Sequence, residues 1–217
     1  MSTKLLHGAE RFRTSIVPKQ KEFFRRLAQG QAPETLMIAC SDSRVVPTLF
    51  TQAAPGDLFL VRNAGNIVPA WGVGGGEAAS IEFAIDGLHV KHLVVCGHSH
   101  CGAVKAMLEP ASVAAMPSLA RWIEHSAVVP RLVAQTHPEL SGELRWAAAV
   151  EENVLAQVEH LETHPAVRAA IATGALEMHA WVYDIETGAV DTYDRETGRF
   201  SELTTSRNRA AFLSPRG

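Results

Sequence analysis

The sequence lacks the segments and the charge excess that mark several classes of protein. No apolar run approaches the roughly 18 residues that a membrane-spanning helix needs. The first ten residues contain no apolar core of about 7 to 15 residues, so no signal peptide is predicted. The formal net charge of −3 offers neither a basic nucleic-acid footprint nor a polybasic membrane patch. We therefore predict a cytoplasmic protein that binds neither nucleic acid nor a membrane.

Cysteine is also scarce, and this argues against a disulfide framework. The chain has three cysteines in 217 residues, whereas disulfide-bonded scaffolds carry a dense and even set. Apolar residues are plentiful enough for a core, because 47% of the chain is hydrophobic and 20% is charged. Since this length suits one domain, we predict a single domain over residues 1–217 with an N-terminal helical arm at about residues 1–30.

Short apolar runs alternate with helical periodicities, which is typical of an α/β fold. Strands are predicted at residues 35–40, 57–62, 91–97, 176–184 and 190–194, the first two buried on both faces. Helices are predicted at residues 18–28, after the glycine-rich residues 72–76, and at 102–108 and 145–161. Each of the last two strands is followed by Glu-Thr-Gly, which indicates successive hairpins. The predicted fold is a mostly parallel sheet flanked by helices, with an antiparallel C-terminal edge.

Two of the predicted strands end in residues that bind metals. Cys40 ends the first strand, and His98 and Cys101 follow the third, so all three are expected at the carboxyl edge of the sheet. Two thiolates and one imidazole suit tetrahedral zinc, and three protein ligands leave a fourth position open, as in catalytic sites. Cys101 also precedes a predicted helix, whose N-terminus favours the thiolate form. We predict one zinc ion per chain, with Asp42 and Arg44 beside it.

The remaining candidate residues receive no role. Cys96 lies inside a strand and is assigned to the core, and His100 is expected to point away from the metal. No function is assigned to the other eight histidines. The run from Gly74 to Ala79 matches a dinucleotide-binding pattern, but it does not directly follow a strand and the third strand carries no acidic residue for a ribose. These glycines are instead expected to let a helix pack closely.

Three segments together resemble the β-class carbonic anhydrases. They are Cys-Ser-Asp-Ser-Arg at 40–44, Arg-Asn-Ala-Gly-Asn at 62–66 and Gly-His-Ser-His-Cys-Gly at 97–102. The resemblance extends over most of the chain and is closest to bacterial enzymes associated with cyanate breakdown. It implies reversible hydration of carbon dioxide to bicarbonate and a proton by zinc-bound hydroxide, with Asp42 and Arg44 as the catalytic dyad. It also implies a substrate pocket at a dimer interface, formed by Gln31, Phe59, Ala64, Phe83 and Gly102.

The dyad suggests how such a site stays open or closes. Asp42 can orient the attacking hydroxide, and the planar fork of Arg44 can hold the carboxylate away from the metal. In the family, the forms in which this aspartate closes onto zinc carry Trp three residues before the first cysteine and Gly immediately before it. This chain has Met37 and Ala39 at those positions, so we predict an open site at neutral pH.

Three alternatives compete with this interpretation. The chain could be a structural zinc module with Asp42 as a permanent fourth ligand, or a hydrolase of another small substrate such as carbon disulfide. A redox protein using Cys96 and Cys101 is disfavoured by their spacing and by the expected burial of Cys96. Relatives use an N-terminal amphipathic segment to clasp a second subunit, so the resemblance also implies a homodimer or a dimer of dimers.

Overall fold

The computed structural model describes residues 3–204 and forms two compact units, divided between residues 32 and 33. The first unit is helical and coincides with the predicted arm. It contains helix α1 (Thr3–Arg11), a π-helical turn (Phe12–Ile16), a 3₁₀ turn (Val17–Gln20) and helix α2 (Lys21–Leu27). The ring of Phe24 contacts the rings of Phe12 and Phe23, with centroids 5.5 and 5.4 Å apart. The predicted single domain extends to residues outside the described part of the chain and stays a prediction.

The second unit is built on a six-stranded mixed sheet, which confirms the predicted fold class. Its strands are β1 (Thr35–Cys40), β2 (Leu58–Asn63), β3 (His92–His98), β4 (Glu177–Tyr183), β5 (Val190–Asp194) and β6 (Arg199–Glu202). Their spatial order is β2-β1-β3-β4-β5-β6. The first four are parallel, and β5 and β6 continue the sheet antiparallel through the two predicted turns.

Within residues 33–204, seven α-helices flank the sheet. They are α3 (Pro47–Phe50), α4 (Gly76–Glu82), α5 (Gly102–Leu108), α6 (Pro117–Ile123), α7 (Val128–Thr136), α8 (Gly142–Glu162) and α9 (Pro165–Ala172). Side chains of α4, α8 and α9 pack in one core with Leu36, Ile38 and Leu93 of the central strands. The opposite face carries a smaller cluster that includes Met37 and Cys96. Among the described residues, no helix is both long and apolar enough to cross a bilayer.

Strand β2 differs from the sequence prediction in its burial. The apolar run at residues 57–62 is predicted to be buried on both faces, but β2 lies at one edge of the sheet, and Leu60 is 38% exposed. Strand β1, next to it, is buried from Leu36 to Cys40. An apolar run does not reveal whether its strand pairs on one side or two, because strand order is set by the crossover connections.

Glycine serves two different purposes here. At Gly97 the helix α8 lies so close to β3 that an added Cβ would stand 2.6 Å from Val154 Cγ2 and 3.2 Å from Val150 Cγ1. The glycines before α4 do not serve close packing, contrary to expectation. Gly74 and Gly75 have φ of 73° and 112°, and a Cβ at Gly74 would meet nothing within 4 Å. They are explained by backbone conformation, since positive φ favours glycine.

Candidate metal centre

The predicted ligands converge because β1 and β3 are neighbouring parallel strands that end at the same edge. Cys40 is the last residue of β1 and His98 the last of β3, while Cys101 is the N-cap of α5. One ligand atom from each lies within 4.8 Å of the others, and the two sulfurs are 3.9 Å apart. All three residues are buried. The arrangement follows directly from parallel pairing at the β1–β3 junction.

The chemistry of these donors fits a zinc ion. His98 Nδ1 is 2.9 Å from the carbonyl oxygen of Ser99, which assigns the ring proton to Nδ1. His98 Nε2 is buried and has no hydrogen-bond partner among the described residues, so its lone pair is available. A buried polar atom that lacks a hydrogen-bond partner lowers the stability of the fold unless something binds it. One imidazole nitrogen and two sulfurs are a donor set that tetrahedral zinc prefers.

The contact between the two cysteines shifts their pKa values in opposite directions. The hydrogen bond with Cys101, helped by His98 and the backbone amides of Gly65 and Asp42, lowers the pKa of Cys40 to about 4 against the opposing effect of burial. Both amide nitrogens lie 3.4 Å from Cys40 Sγ. Sharing with Cys40, together with burial, raises the pKa of Cys101. Cys40 is therefore prepared as a thiolate by its surroundings, and binding a cation removes the reason for Cys101 to keep its proton.

Asp42 and Arg44 form a bidentate ion pair beside the ligands. Arg44 Nε and Nη2 donate to the two carboxylate oxygens of Asp42 at 3.0 and 2.8 Å, and the Arg44 amide donates to Oδ1 at 3.0 Å. Arg44 Nη2 also lies 3.3 Å from the carbonyl oxygen of His100. The side chain of Arg44 holds the pKa of Asp42 well below its usual range. The carboxylate is thus ionised and fixed in orientation at neutral pH.

Arg62 contributes to the site in a way that sequence reasoning missed. Its guanidinium donates to the carbonyl oxygen of Cys40 at 3.1 and 2.8 Å, and to those of Asp42 and Val45 at 2.9 and 2.8 Å. It therefore holds the loop that follows β1 in the curved path that brings Asp42 back toward the ligands. The sequence marked Arg62 only as the first residue of the segment at 62–66 that resembles the family, and it indicated no contact with the loop after β1.

Two tryptophans and an asparagine on surrounding helices also support the ligand loops. Trp146 Nε1 donates to the carbonyl oxygen of Cys101 at 3.0 Å, and Trp122 Nε1 donates to that of Ala64 at 2.8 Å. Asn153 Nδ2 donates to the carbonyl oxygen of Gly65 at 2.9 Å. Trp146 lies in the helix predicted at residues 145–161, and that prediction did not reveal the polar contact. These bonds fix backbone that carries or faces a ligand sulfur.

The predicted pocket residues are partly brought together. The rings of Phe59 and Phe83 have centroids 6.0 Å apart, and Phe83 is 50% exposed. Ala64 lies in a 3₁₀ turn after β2, and Gly102 begins α5. Gln31 is an exposed residue of the N-terminal unit, and its share in the pocket stays a prediction.

Cys96 and His100 occupy the environments expected for them. Cys96 is completely buried, and burial raises the pKa of its thiol to about 12. It belongs to the core cluster on the opposite face of the sheet, so it neither joins the ligand group nor offers a reactive thiol. His100 is exposed, with Nδ1 3.4 Å from a carboxylate oxygen of Glu143 and its ring edge-on to Trp146.

The chain is similar to known carbonic anhydrases in sequence and in fold. Residues 35–190 match the sequence profile of the family described as carbonic anhydrase. A carbonic anhydrase of Pseudomonas aeruginosa is 46% identical over 200 residues, which cover 92% of this chain and 90% of the relative. The structure of the β-carbonic anhydrase CcaA matches with a TM-score of 0.93 at 40% identity, over 97% of this chain and 94% of that chain. A tetrameric β-carbonic anhydrase from the filamentous ascomycete Sordaria macrospora matches with a TM-score of 0.75 at 33% identity, over 92% and 95% of the two chains.

Proposed function

The chain belongs to the β-carbonic anhydrase family, and on that premise we propose that it hydrates carbon dioxide reversibly to bicarbonate and a proton, using zinc held by Cys40, His98 and Cys101. The observation that carries the proposal is the convergence of those three buried donors within 4.8 Å, in a chain 46% identical to a named carbonic anhydrase. Fold alone would not support an activity, because one fold hosts many functions.

The residues around the donors suit this reaction. Zinc bound there supplies a Lewis acid that lets water lose a proton near neutral pH. Asp42 is held ionised, and an ionised carboxylate only accepts hydrogen bonds. It therefore takes a hydrogen bond from the attacking water or hydroxide and leaves an oxygen lone pair directed at the carbon of carbon dioxide. Arg44 keeps the carboxylate in that orientation through its two side-chain hydrogen bonds.

The same ion pair favours an open site over a closed one. To contact the metal, Asp42 would have to give up both side-chain hydrogen bonds from Arg44. Met37 and Ala39 also stand where the closing forms of the family carry Trp and Gly. We infer that Asp42 stays on Arg44 at neutral pH. This argues against the structural zinc module, in which Asp42 would be a permanent ligand.

The finer parts of the proposal rest on the resemblance. Carbon dioxide is small and apolar, and the neighbouring aromatic rings of Phe59 and Phe83 suit it, with Ala64, Gly102 and Gln31 completing the pocket. We propose a cytoplasmic homodimer or dimer of dimers clasped by the N-terminal unit. The tetrameric relative from Sordaria macrospora supports an assembly of this kind. The resemblance to bacterial enzymes associated with cyanate breakdown also stays part of this proposal.

Stopped-flow measurement of carbon dioxide hydration, between about pH 6.5 and 9 on protein of known zinc content, tests the function. Two cysteine variants form a matched pair: Cys101→Ala is expected to lose zinc and activity, whereas Cys96→Ala, at a buried thiol outside the donor group, is expected to keep both. Zinc-loaded protein that is inactive throughout this pH range would contradict the proposal. Activity confined to the alkaline end would contradict the open site.

A further inference from the structure

Two histidines and a glutamate, side chains of the types that bind metals, meet at the end of the sheet opposite Cys40, His98 and Cys101. His92 is the first residue of β3, and Glu177 and His179 lie at the start of β4. The two strands are parallel with His92 in register with Glu177, and Glu177 and His179 are two residues apart on one strand. Side chains two apart on a strand point to the same face, so the register places all three together.

Their donor atoms are as close as ligands of one ion should be. His92 Nδ1 is 3.4 Å from His179 Nε2 and 3.5 Å from a carboxylate oxygen of Glu177. One atom from each of the three lies within 4.8 Å of the others. Tetrahedral zinc with ligands at about 2.0 to 2.1 Å separates neighbouring donors by about 3.3 Å. The two short distances therefore match the separation of neighbouring donors in tetrahedral coordination.

We propose that His92, Glu177 and His179 form a second metal site that binds a divalent transition-metal ion such as Zn²⁺. Two imidazoles and one carboxylate favour zinc and its neighbours over magnesium or calcium, which prefer oxygen ligands alone. The side chains of His92 and Glu177 are 40% and 43% exposed, so an ion reaches them from solvent. His92 and His179 line a cavity of about 360 Å³ together with Thr35 and Asp57, and this cavity leaves room for water to complete the coordination.

This site is independent of the catalytic one. His92 begins β3 and His98 ends it, and six residues of strand at about 3.3 Å each separate the two by about 20 Å. The two groups share no ligand. Asp57, which also lines the cavity, accepts a hydrogen bond from the amide of Ala54 at its Oδ2, at 2.7 Å. An ion here would tie β3 to β4, with no part in the hydration reaction.

Zinc titration of the enzyme whose catalytic site is already filled tests this proposal. Equilibrium dialysis with metal analysis should find a second equivalent of Zn²⁺ with a dissociation constant of about 10 μM or tighter. His179→Gln and Glu177→Gln should each weaken this second binding by about tenfold or more and leave the first equivalent in place. His137→Gln is the matched control, because His137 Nδ1 lies 3.8 Å from a carboxylate oxygen of Glu139 without a second histidine in the group.

The outcomes separate a metal site from a simple ion pair. Loss of the second equivalent in both site variants, with retention in the control, supports the proposal. Absence of a second equivalent in the unmodified enzyme would mean that His92, Glu177 and His179 only hydrogen-bond to one another, and would overturn it. Second binding that persists in either site variant would place the ion elsewhere and overturn it equally. Retention of the first equivalent verifies that each variant is folded, and Glu177→Gln keeps the side-chain shape if a histidine variant fails this check.

Discussion

Replacement of Arg44 should lower catalysis without removing the metal. Arg44→Ala deletes both side-chain hydrogen bonds to Asp42, at 3.0 and 2.8 Å, whereas the backbone hydrogen bond at 3.0 Å stays. The carboxylate then keeps one anchor and can rotate away from the orientation that the reaction needs. Loss of a group that orients a reacting residue costs about 10- to 100-fold in activity, and we expect a fall of that size in kcat/KM. Arg44→Lys keeps the charge but loses the planar fork, so its kcat/KM should lie between that of the unmodified enzyme and that of Arg44→Ala.

The assay is stopped-flow hydration with the zinc content of each variant measured on the same sample. Arg25→Ala is the control, because it also removes an arginine from an ion pair with a carboxylate, that of Glu22 at 3.1 Å, but in the N-terminal unit and among exposed side chains. Hydration by the Arg44→Ala variant within about twofold of the unmodified enzyme, at equal zinc content, would refute the positioning role. A fall that merely follows loss of zinc would refute it too, since Arg44 supplies no ligand.

The Arg44→Ala variant should also change the pKa of Asp42. Asp42 has a folded-state pKa below its ordinary value of about 3.9, because Arg44 stabilises the ionised form. The stabilising contribution is therefore complete above that ordinary value and is lost only as the pH falls through the lower folded-state pKa. In Arg44→Ala the NMR titration of the Asp42 carboxyl should move upward toward the ordinary value. An unchanged titration would show that Arg44 does not hold the charge.

Three further predictions concern packing, ligand support and assembly. Gly97→Ala should lower the free energy of unfolding by about 1 to 3 kcal/mol in a denaturant titration, because its methyl group has no space against α8, whereas Gly76→Ala, with nothing near the added carbon, should not. Equal stability of the two would contradict the close packing of β3 on α8. Trp146→Phe removes the donor to the Cys101 carbonyl and should weaken zinc binding about tenfold in chelator competition; unchanged affinity would remove Trp146 from the support of the site. Light scattering should give the mass of a dimer or tetramer, and a monomer at micromolar concentration would contradict the shared pocket.

The zinc ligands were predictable from sequence because they depend on a simple geometric rule. Neighbouring parallel strands end at one edge, so residues at the ends of β1 and β3 had to meet once those strands were recognised. The bounds of β1, α5 and β5 agree with the predictions for the same reason, since each is a short run with clear turn signals. Helix α1 lies within the helical arm predicted at about residues 1–30, but only the later helix of that arm, at 18–28, was predicted with its own bounds.

Features that depend on contacts between distant segments were not accessible from sequence. The three carbonyl oxygens bound by Arg62 belong to the last residue of β1 and to the loop after it, about 20 residues away, and no local pattern indicates that contact. The edge position of β2 depends on strand order, which is a property of the whole sheet. The cluster of His92 with His179 exists only through the register of β3 on β4, so each histidine alone looked ordinary.

A crystal structure of the zinc-loaded enzyme near neutral pH tests the central claim most directly. The account predicts zinc on Cys40, His98 and Cys101, with Asp42 still in its bidentate contact with Arg44. Asp42 bound to zinc under those conditions would contradict the open site. Zinc bound without one of the three donors would contradict the proposed metal centre itself.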